Sequence, residues 1–320
     1  MNKIYKMFEI TVEVDKLPDH LNYFLFAANS NMRCYNSLLK LSDSSCSIDT
    51  KIVFDYKKLR PTKEKDGDEV LKNYEEYEKY DPTIVHECIG EDDDVNFIAK
   101  LQIVESDCMG LDITGFTVPD VFRLLYILKE IKKIKSIHVF YTEPQHYLFK
   151  EDIFDTYEYL SGERTYKPVP EYFTIGSYEK ELLVCFLGFD MYVSDYIYEK
   201  VLPYEAIAIN GFPSYLPKLK DISLLNNYSL LTANVDSEHR FFTRANNPFS
   251  AYNTLCDIRK KFPDCLMNIC VLGTKPMALG ACLFSLDNKQ NVKVTYPYPQ
   301  HYVPKTTESS TKAWYYVVDF

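Results

Sequence analysis

The segment Gly273-Thr274-Lys275-Pro276-Met277 has the residue types needed to bind a phosphate group. Glycine lets the backbone approach a ligand closely, Thr274 offers a hydroxyl, and Lys275 supplies a compact positive charge suited to phosphate. The alternative is an ordinary strand-to-helix turn with a solvated lysine. The spacing is not that of a Walker loop, and the chain has no GxGxxG motif, so neither a P-loop nor NAD binding is predicted.

Polar residues follow predicted strands in four loops, which span residues 29–33, 112–117, 188–190 and 273–277. Each loop leads into a predicted helix, whose free backbone N–H groups favour an anion. Ligands of open α/β sheets bind at the carboxyl ends of strands. The candidate ligand-binding residues there are Asp112, Thr114, Gly273, Thr274 and Lys275, with Arg33 as a second anion contact and Tyr141 and Tyr296 as stacking partners for a base.

No catalytic residue is predicted. The chain lacks GxSxG and HExxH motifs, and whether carboxylates near strand ends converge stays open. His146 and His301 could act as acids or bases, but each lies in a repeated Pro-Gln-His-Tyr tetrapeptide. Because both copies keep the whole tetrapeptide, a structural turn is the favoured interpretation. No Cys/His cluster has the spacing of zinc ligands, so neither a metal nor a cofactor is predicted.

The elements that position these residues follow a repeated order. Tyr23–Ala28 and Lys51–Tyr56 read as buried parallel strands with a helix between them. The same order recurs at Leu182–Leu187 and Ala206–Ile209. Residues 139–147 read VFYTEPQHY and residues 294–302 read VTYPYPQHY, and in each half a strand, a turn and a helix precede this segment. The repeat predicts an internal duplication.

The expected fold class is therefore α/β, with two similar Rossmann-like halves, mainly parallel sheets and a pseudo-twofold axis. Residues 1–150 would form the first half, with a charged insertion at 57–94, and residues 151–320 the second. The segment Trp314–Phe320 is predicted to close the chain as an edge strand.

Composition excludes several classes of protein. The net charge of −10 and the pI of about 5.2 make the chain a poor default binder of duplex DNA. No signal-peptide pattern and no apolar run of membrane-spanning length is present, so we expect a cytoplasmic protein with no membrane partner. The cysteines show no paired spacing and are expected to be reduced thiols.

The segment from Val271 to Leu279 resembles the GTK-M motif of CARF domains, the CRISPR-associated Rossmann fold. The residues Leu111–Gly115 are a looser match to the strand-plus-Thr-Gly pattern of that group. The chain departs from the motif at Leu272, where the family usually has a second glycine. The resemblance implies sensing of cyclic oligonucleotides in prokaryotic antiviral defence. CARF domains generally bind ligand across a dimer twofold, so the loops at 112–117 and 273–277 would face each other across an internal cleft.

Three functional hypotheses follow. The first is a sensor, not an enzyme or only weakly one, for a nucleotide or another phosphorylated small molecule in antiviral defence. The second is a metal-dependent or acid/base hydrolase acting on a nucleotide in the interlobe cleft. The third is a non-catalytic subunit of a defence complex, with a protein partner docked on the 57–94 insertion.

Overall fold

The computed structural model describes residues 5–10, 17–29, 31–56, 72–88, 91–145, 164–173, 178–299 and 312–320. These residues form two compact units, one drawn from 1–148 and 301–320 and the other from 149–300. Each unit contains one mainly parallel sheet with helices between the strands. The predicted α/β class with two Rossmann-like halves is confirmed. Within the described ranges, no helix has the length and apolar character required to cross a membrane.

The sheet of the first unit has seven strands in the order β1-β13-β6-β5-β2-β3-β4. Strands β2 to β6 are parallel, and β13 is antiparallel to both of its neighbours. The strands are β1 (Tyr5–Ile10), β2 (His20–Ala28), β3 (Ser47–Asp55), β4 (Ile84–Glu87), β5 (Met109–Asp112), β6 (Ser136–Thr142) and β13 (Ala313–Asp319). The helices are α1 (Asn36–Ser42), α2 (Glu91–Lys100) and α3 (Val118–Tyr126), with a π-helical turn at Ile127–Ile131 and 3-10 turns at Met32–Tyr35 and Glu76–Tyr80.

The sheet of the second unit has six strands in the order β10-β9-β8-β11-β12-β7. Strands β8 to β12 are parallel, and β7 is antiparallel to β12. The strands are β7 (Arg164–Pro168), β8 (Glu181–Phe186), β9 (Glu205–Gly211), β10 (Arg240–Thr243), β11 (Leu266–Val271) and β12 (Val292–Pro299). The helices are α4 (Val193–Val201), α5 (Leu219–Asn226), α6 (Tyr228–Ala233), α7 (Pro248–Lys261) and α8 (Lys275–Asp287), with a 3-10 turn at Ser237–His239.

The parallel strands follow the same order in both sheets. The series β6-β5-β2-β3-β4 of the first sheet corresponds, strand for strand, to β12-β11-β8-β9-β10 of the second. An antiparallel strand lies beside β6 in one sheet and beside β12 in the other. The equivalence extends from strand order to chain order, which is what the repeated sequence pattern predicts. Common descent of the two halves stays a prediction.

The strand β13 corrects the predicted organisation. Residues Trp314–Phe320 were expected to be an edge strand of the second half, within 151–320. Instead β13 lies inside the first sheet, where Ala313 is opposite Thr142 on one side and opposite Ile10 on the other. The strand that follows β6 along the chain, β7, lies in the second sheet. The strand at 313–319, which the sequence analysis assigns to the second half, therefore belongs to the first sheet, whereas β7 lies in the half to which it was assigned.

The predicted insertion at 57–94 also differs from the structure. Its residues 84–87 form β4, a regular parallel strand of the sheet, and its last residues begin α2. Successive residues of β4 alternate between half-buried and exposed, so the strand has no continuous apolar run that would reveal it in the sequence. Residues 57–71 of the insertion lie outside the described residues. So do His146, Tyr147, His301 and Tyr302 of the repeated tetrapeptides.

Helix α8 holds the predicted phosphate-binding segment in place. It is buried from Pro276 to Leu286, and its residues are apolar on all faces, as in a helix enclosed by protein. A Cβ atom added to Gly280 would lie 2.1 Å from the carbonyl oxygen of Pro248 at the start of α7. The two helices are therefore in backbone contact, which fixes the position of Lys275 at the first turn of α8.

Candidate ligand-binding site

Thr274 forms the N-cap of α8, the helix that the sequence predicts to follow this loop. Its backbone is extended, with φ of −75° and ψ of 159°, and its hydroxyl accepts a hydrogen bond from the backbone N–H of Met277. The same hydroxyl donates to the carbonyl oxygen of Ala245. The threonine is thus satisfied within the protein, and it holds the start of the helix rather than presenting a free hydroxyl.

Gly273 and Lys275 flank this cap. A Cβ atom at Gly273 would lie 3.1 Å from Sδ of Met277 and 3.3 Å from the carbonyl oxygen of Leu187, so a larger residue would force its neighbours apart. Lys275 is partly exposed at the first position of α8, where the helix dipole is positive. The loop therefore combines a close backbone and a positive charge at one helix N-terminus, the arrangement that suits an anion.

Tyr296 lies near the same end of the second sheet. Strands β11 and β12 are parallel neighbours, with Ile269 opposite Val294, so Tyr296 lies two residues further towards their carboxyl ends. Its side chain is partly exposed, and its ring meets that of Tyr298 edge-on at a centroid distance of 5.3 Å. The ring is therefore accessible in part and braced by a second aromatic residue.

Asp112 is a buried carboxylate at the carboxyl end of β5. Its Oδ1 accepts a hydrogen bond of 2.7 Å from the backbone N–H of Thr114, and its Oδ2 is buried without a hydrogen-bond partner among the described residues. Burial raises the pKa of Asp112 to about 6, although the nearby Ser37 hydroxyl, Thr114 and the charge of Arg33 each lower it. A buried acceptor left unsatisfied costs stability, and such groups are characteristic of functional sites.

Thr142, the last residue of β6, joins Arg33 and Thr114 into one cluster. Its backbone N–H donates to Oγ1 of Thr114 at 2.9 Å, and its carbonyl oxygen accepts from Nη1 of Arg33 at 2.7 Å. Its hydroxyl accepts from the Asn36 amide at 3.3 Å. These bonds connect the loop after β2 with the ends of β5 and β6. We define the Asp112 cluster as Arg33, Ser37, Asp112, Thr114 and Thr142.

Tyr141 has a different environment from the one expected of a stacking partner. Its side chain is 2% exposed, so its ring presents no open face to a base. The guanidinium carbon of Arg33 lies 5.8 Å from the ring centroid, within the range of a cation–π contact. Tyr141 therefore contacts Arg33 inside the protein, and the stacking role remains a prediction for Tyr296.

Sequence reasoning did not single out several members of this region. Ser37 lies on α1, and Thr142 was treated only as the residue after a strand. Asn29, which is 8% exposed, donates to the carbonyl oxygen of Gly115 at 2.8 Å and accepts from the backbone N–H of Asn31 at 2.8 Å. It thereby links the loops after β2 and β5. For Asn29 and Thr142 the usable signal was position, because Asn29 follows β2 and Thr142 ends β6, whereas Ser37 on α1 had no such signal.

The structure therefore groups the predicted site residues by unit. Asp112, Thr114, Arg33 and Tyr141 come together in the first unit, and Gly273, Thr274, Lys275 and Tyr296 lie at one end of the sheet in the second. The predicted cleft shared by the two loops stays a prediction.

The second unit also contains an apolar pocket and a group of potential metal ligands. A pocket of about 480 Å³ lies beside β9 and β10, and its mostly apolar lining includes Leu225, Tyr228 and Phe242. At the opposite, amino-terminal end of these strands, three side chains that could bind a metal come close together, namely Glu205, Asp236 and His239. The absence of a metal site was predicted from sequence spacing, which does not detect a group of this kind.

Comparison with known proteins supports the fold. No protein-family model matches the chain, and no curated protein matches it in sequence. Among solved structures, a DNA nuclease of Type III CRISPR defence that is activated by cyclic oligoadenylate is similar at a TM-score of 0.54 and 10% identity. The similarity covers 87% of this chain and 65% of the nuclease, so this chain spans less than two thirds of that protein. The two proteins share a fold.

Two further structures match much more weakly. They are the cytoplasmic domain of a prokaryotic cation chloride cotransporter, at 9% identity over 88% of this chain and 96% of that one, and a Haemonchus contortus phosphoethanolamine N-methyltransferase, at 11% identity over 88% and 65%. Both have a TM-score of 0.23, and no conclusion rests on them.

Proposed function

We propose that this chain is a CARF-like sensor that binds a nucleotide or another phosphorylated small molecule in the cytoplasm, as part of prokaryotic antiviral defence. The observation that carries the proposal is the Asp112 cluster. The cluster combines a cation, hydroxyl groups and a buried carboxylate with one unsatisfied oxygen at the carboxyl ends of central parallel strands, which is where ligands of open α/β sheets bind.

The chemistry of the cluster suits a nucleotide better than a simple anion. Asp112 would repel a phosphate, but its free Oδ2 can accept a hydrogen bond from a ribose hydroxyl or a base amino group. Arg33 is partly exposed and lies beside Asp112, so it can contact a phosphate attached to the same ligand. A ligand that contains both a phosphate and a ribose or base would therefore contact Arg33 and Asp112 together.

The second unit offers a complementary anion site. Lys275 and the backbone around Gly273 lie at the N-terminus of α8, and Tyr296 provides an aromatic surface at the same end of the sheet. The fold shared with a nuclease activated by cyclic oligoadenylate makes a cyclic oligonucleotide the first ligand to test.

Isothermal titration calorimetry with cyclic oligoadenylates, linear oligoadenylates and mononucleotides tests this proposal. We expect heat from at least one of them, and a weaker interaction after Arg33→Gln or Lys275→Met. Lys260→Met is the matched control, because Lys260 is exposed on α7 and pairs with Asp257. Folded protein that gives no heat with any of these compounds contradicts the nucleotide proposal.

A hydrolase is the second candidate, and the raised pKa of Asp112 favours it. A carboxyl group whose pKa is about 6 can exchange a proton near neutral pH. Incubation with the same nucleotides, followed by chromatography, distinguishes the two functions. Product that forms with the wild type but not with Asp112→Asn supports hydrolysis, and binding without product supports a sensor.

A non-catalytic subunit of a defence complex is the third candidate. The exposed side chains of Leu225, Tyr228 and Phe242 at the apolar pocket favour it, since exposed apolar surface often marks a protein interface. The chain would then bind a protein partner but no nucleotide. In that case the calorimetric titrations give no heat with any of the nucleotides tested.

A further inference from the structure

Glu205, Asp236 and His239 form a compact group of potential metal ligands in the second unit. One ligand atom from each residue lies within 4.8 Å of the other two. Glu205 is the first residue of β9, and the other two belong to the turn that precedes β10. Because 31 or more residues separate Glu205 from the turn in sequence, only the pairing of β9 with β10 brings the group together.

The imidazole of His239 has a buried nitrogen that is positioned to coordinate a cation. Its Nδ1 atom is buried and makes no hydrogen bond among the described residues, yet it lies 3.4 Å from Oε2 of Glu205. The side chain is 14% exposed, and the ring of Phe262 packs edge-on against it at 5.5 Å. A buried polar nitrogen without a hydrogen bond is costly, and a cation between it and the carboxylate would remove that cost.

The turn that carries Asp236 and His239 is held in place by its neighbours. The backbone N–H of His239 donates to the carbonyl oxygen of Asp236 at 3.0 Å. The guanidinium group of Arg240 donates to the carbonyl oxygens of Val235, at 2.9 Å, and Leu231. Two of the three side chains are therefore presented by a fixed backbone, which lowers the entropic cost of binding an ion.

We propose that Glu205, Asp236 and His239 bind one divalent transition-metal cation. An imidazole nitrogen with two carboxylate oxygens suits Zn²⁺, Mn²⁺ or Co²⁺ better than Ca²⁺ or Mg²⁺, which take oxygen ligands. The ligand atoms need to move by a fraction of an ångström, because metal–ligand distances of about 2.1 Å bring ligands closer together than in the metal-free geometry. Three protein ligands leave positions open for water.

Binding of the cation would hold the edge strand β10 in place. Among the residues that the structure describes, β10 is the outermost strand of its sheet and pairs with β9 alone. A cation held by Glu205 on β9 and by the turn before β10 would clamp the two strands at their amino ends. Since β10 contributes Phe241 and Phe242 to the apolar pocket, the ion would also order one wall of that pocket. The inference does not depend on nucleotide binding at the opposite end of the sheet.

Titration of the full chain with Co²⁺, followed by visible and near-ultraviolet absorption, tests the proposal. We expect one equivalent to bind with the spectrum of nitrogen and oxygen ligands. A thiolate-to-cobalt charge-transfer band would instead place the ion on cysteines and overturn the proposal, and so would the absence of binding. This readout is needed because the chain contains nine free cysteines.

Substitutions locate the ion. His239→Gln and the isosteric Glu205→Gln are each expected to weaken Co²⁺ binding by more than about tenfold, since even changes outside the ligand shell cost that much. Asp257→Asn is the matched control, because it removes the same charge from an exposed position of the same unit and should leave affinity unchanged. Circular dichroism shows whether each variant is folded. Unchanged affinity in folded Glu205→Gln overturns the proposal.

Discussion

Thr117 and Thr274 are the N-caps of corresponding helices in the two units. Their φ and ψ angles are −70° and 162° in α3 and −75° and 159° in α8, and each is followed by proline two residues later. The residue in between differs, because Val118 stands where the second unit has Lys275. The two units thus share the geometry of the loop but not its charge. In the first unit the positive charge comes from Arg33, which lies beside Asp112.

Lys275→Met should weaken nucleotide binding without unfolding the protein. The lysine is partly exposed at the start of α8, and a charge-assisted contact to phosphate contributes about 1.5–3 kcal/mol, so affinity should fall by about tenfold or more. Calorimetry with the best ligand of the oligoadenylate panel measures the change. Equal affinities of Lys275→Met and the control Lys260→Met would remove Lys275 from the site.

Asp112→Asn should stabilise the protein above pH 6 and have no such effect near pH 4. Burial raises the pKa of Asp112 from 3.8 in the unfolded chain to about 6 in the folded protein. The stability that the neutral carboxyl group contributes is therefore fully present below the unfolded pKa. Its contribution is lost as pH rises through the folded pKa, at a cost of up to about 3 kcal/mol. Urea unfolding at pH 4 and pH 7.5 measures the difference between variant and wild type.

The surface substitution Asp221→Asn provides the control for that experiment, because Asp221 is exposed beside Lys220. A stability difference between Asp112→Asn and wild type that is the same at both pH values contradicts the assignment of a raised pKa. If the variant is also more stable but binds nucleotide more weakly, the carboxylate has a functional role that costs stability.

Thr274→Val should destabilise the second unit by about 1–2 kcal/mol, because it removes the cap of α8 and the hydrogen bond to Ala245. Thr274→Ser retains the hydroxyl and should lose much less. Chemical denaturation of both variants tests this. A similar loss in the two variants would show that the methyl group contributes as much as the hydroxyl and would contradict the cap as the main source of the stabilisation.

Gly280→Ala should destabilise the protein by about 1–3 kcal/mol, with larger losses if the helices separate. The added Cβ would lie 2.1 Å from the carbonyl oxygen of Pro248 and 2.8 Å from Cβ of Ala251. Alanine normally favours a helix by about 1 kcal/mol over glycine, so the sign of the change in unfolding free energy is diagnostic. A stabilised variant would contradict the close packing of α7 and α8.

The sequence was informative where residues are buried on both sides or lie at helix starts. The apolar strands β2, β8 and β11 and the helices that follow the loops at 112–117 and 273–277 can be predicted from local pattern. For the same reason, the loops that carry Asp112 and Lys275 could be located. Their local chemistry depends on a strand end and a helix start, which neighbouring residues specify.

Features that depend on long-range pairing could not be predicted in this way. The half-exposed strand β4, the place of β13 and the group around His239 arise from sheet neighbours far apart in the chain. Likewise, the burial of Tyr141 reflects packing of β6 against its surroundings, and no local pattern distinguishes it from the partly exposed Tyr296.

The position of β13 has a consequence for biosynthesis. In the described part of the chain, β1 pairs with β13 alone, and β13 joins it to β6. During translation, residues 5–10 are made before residues 313–319, so the pairing of β1 must wait for β13. The first sheet can therefore be completed only after the residues of the second unit, 149–300, have been translated.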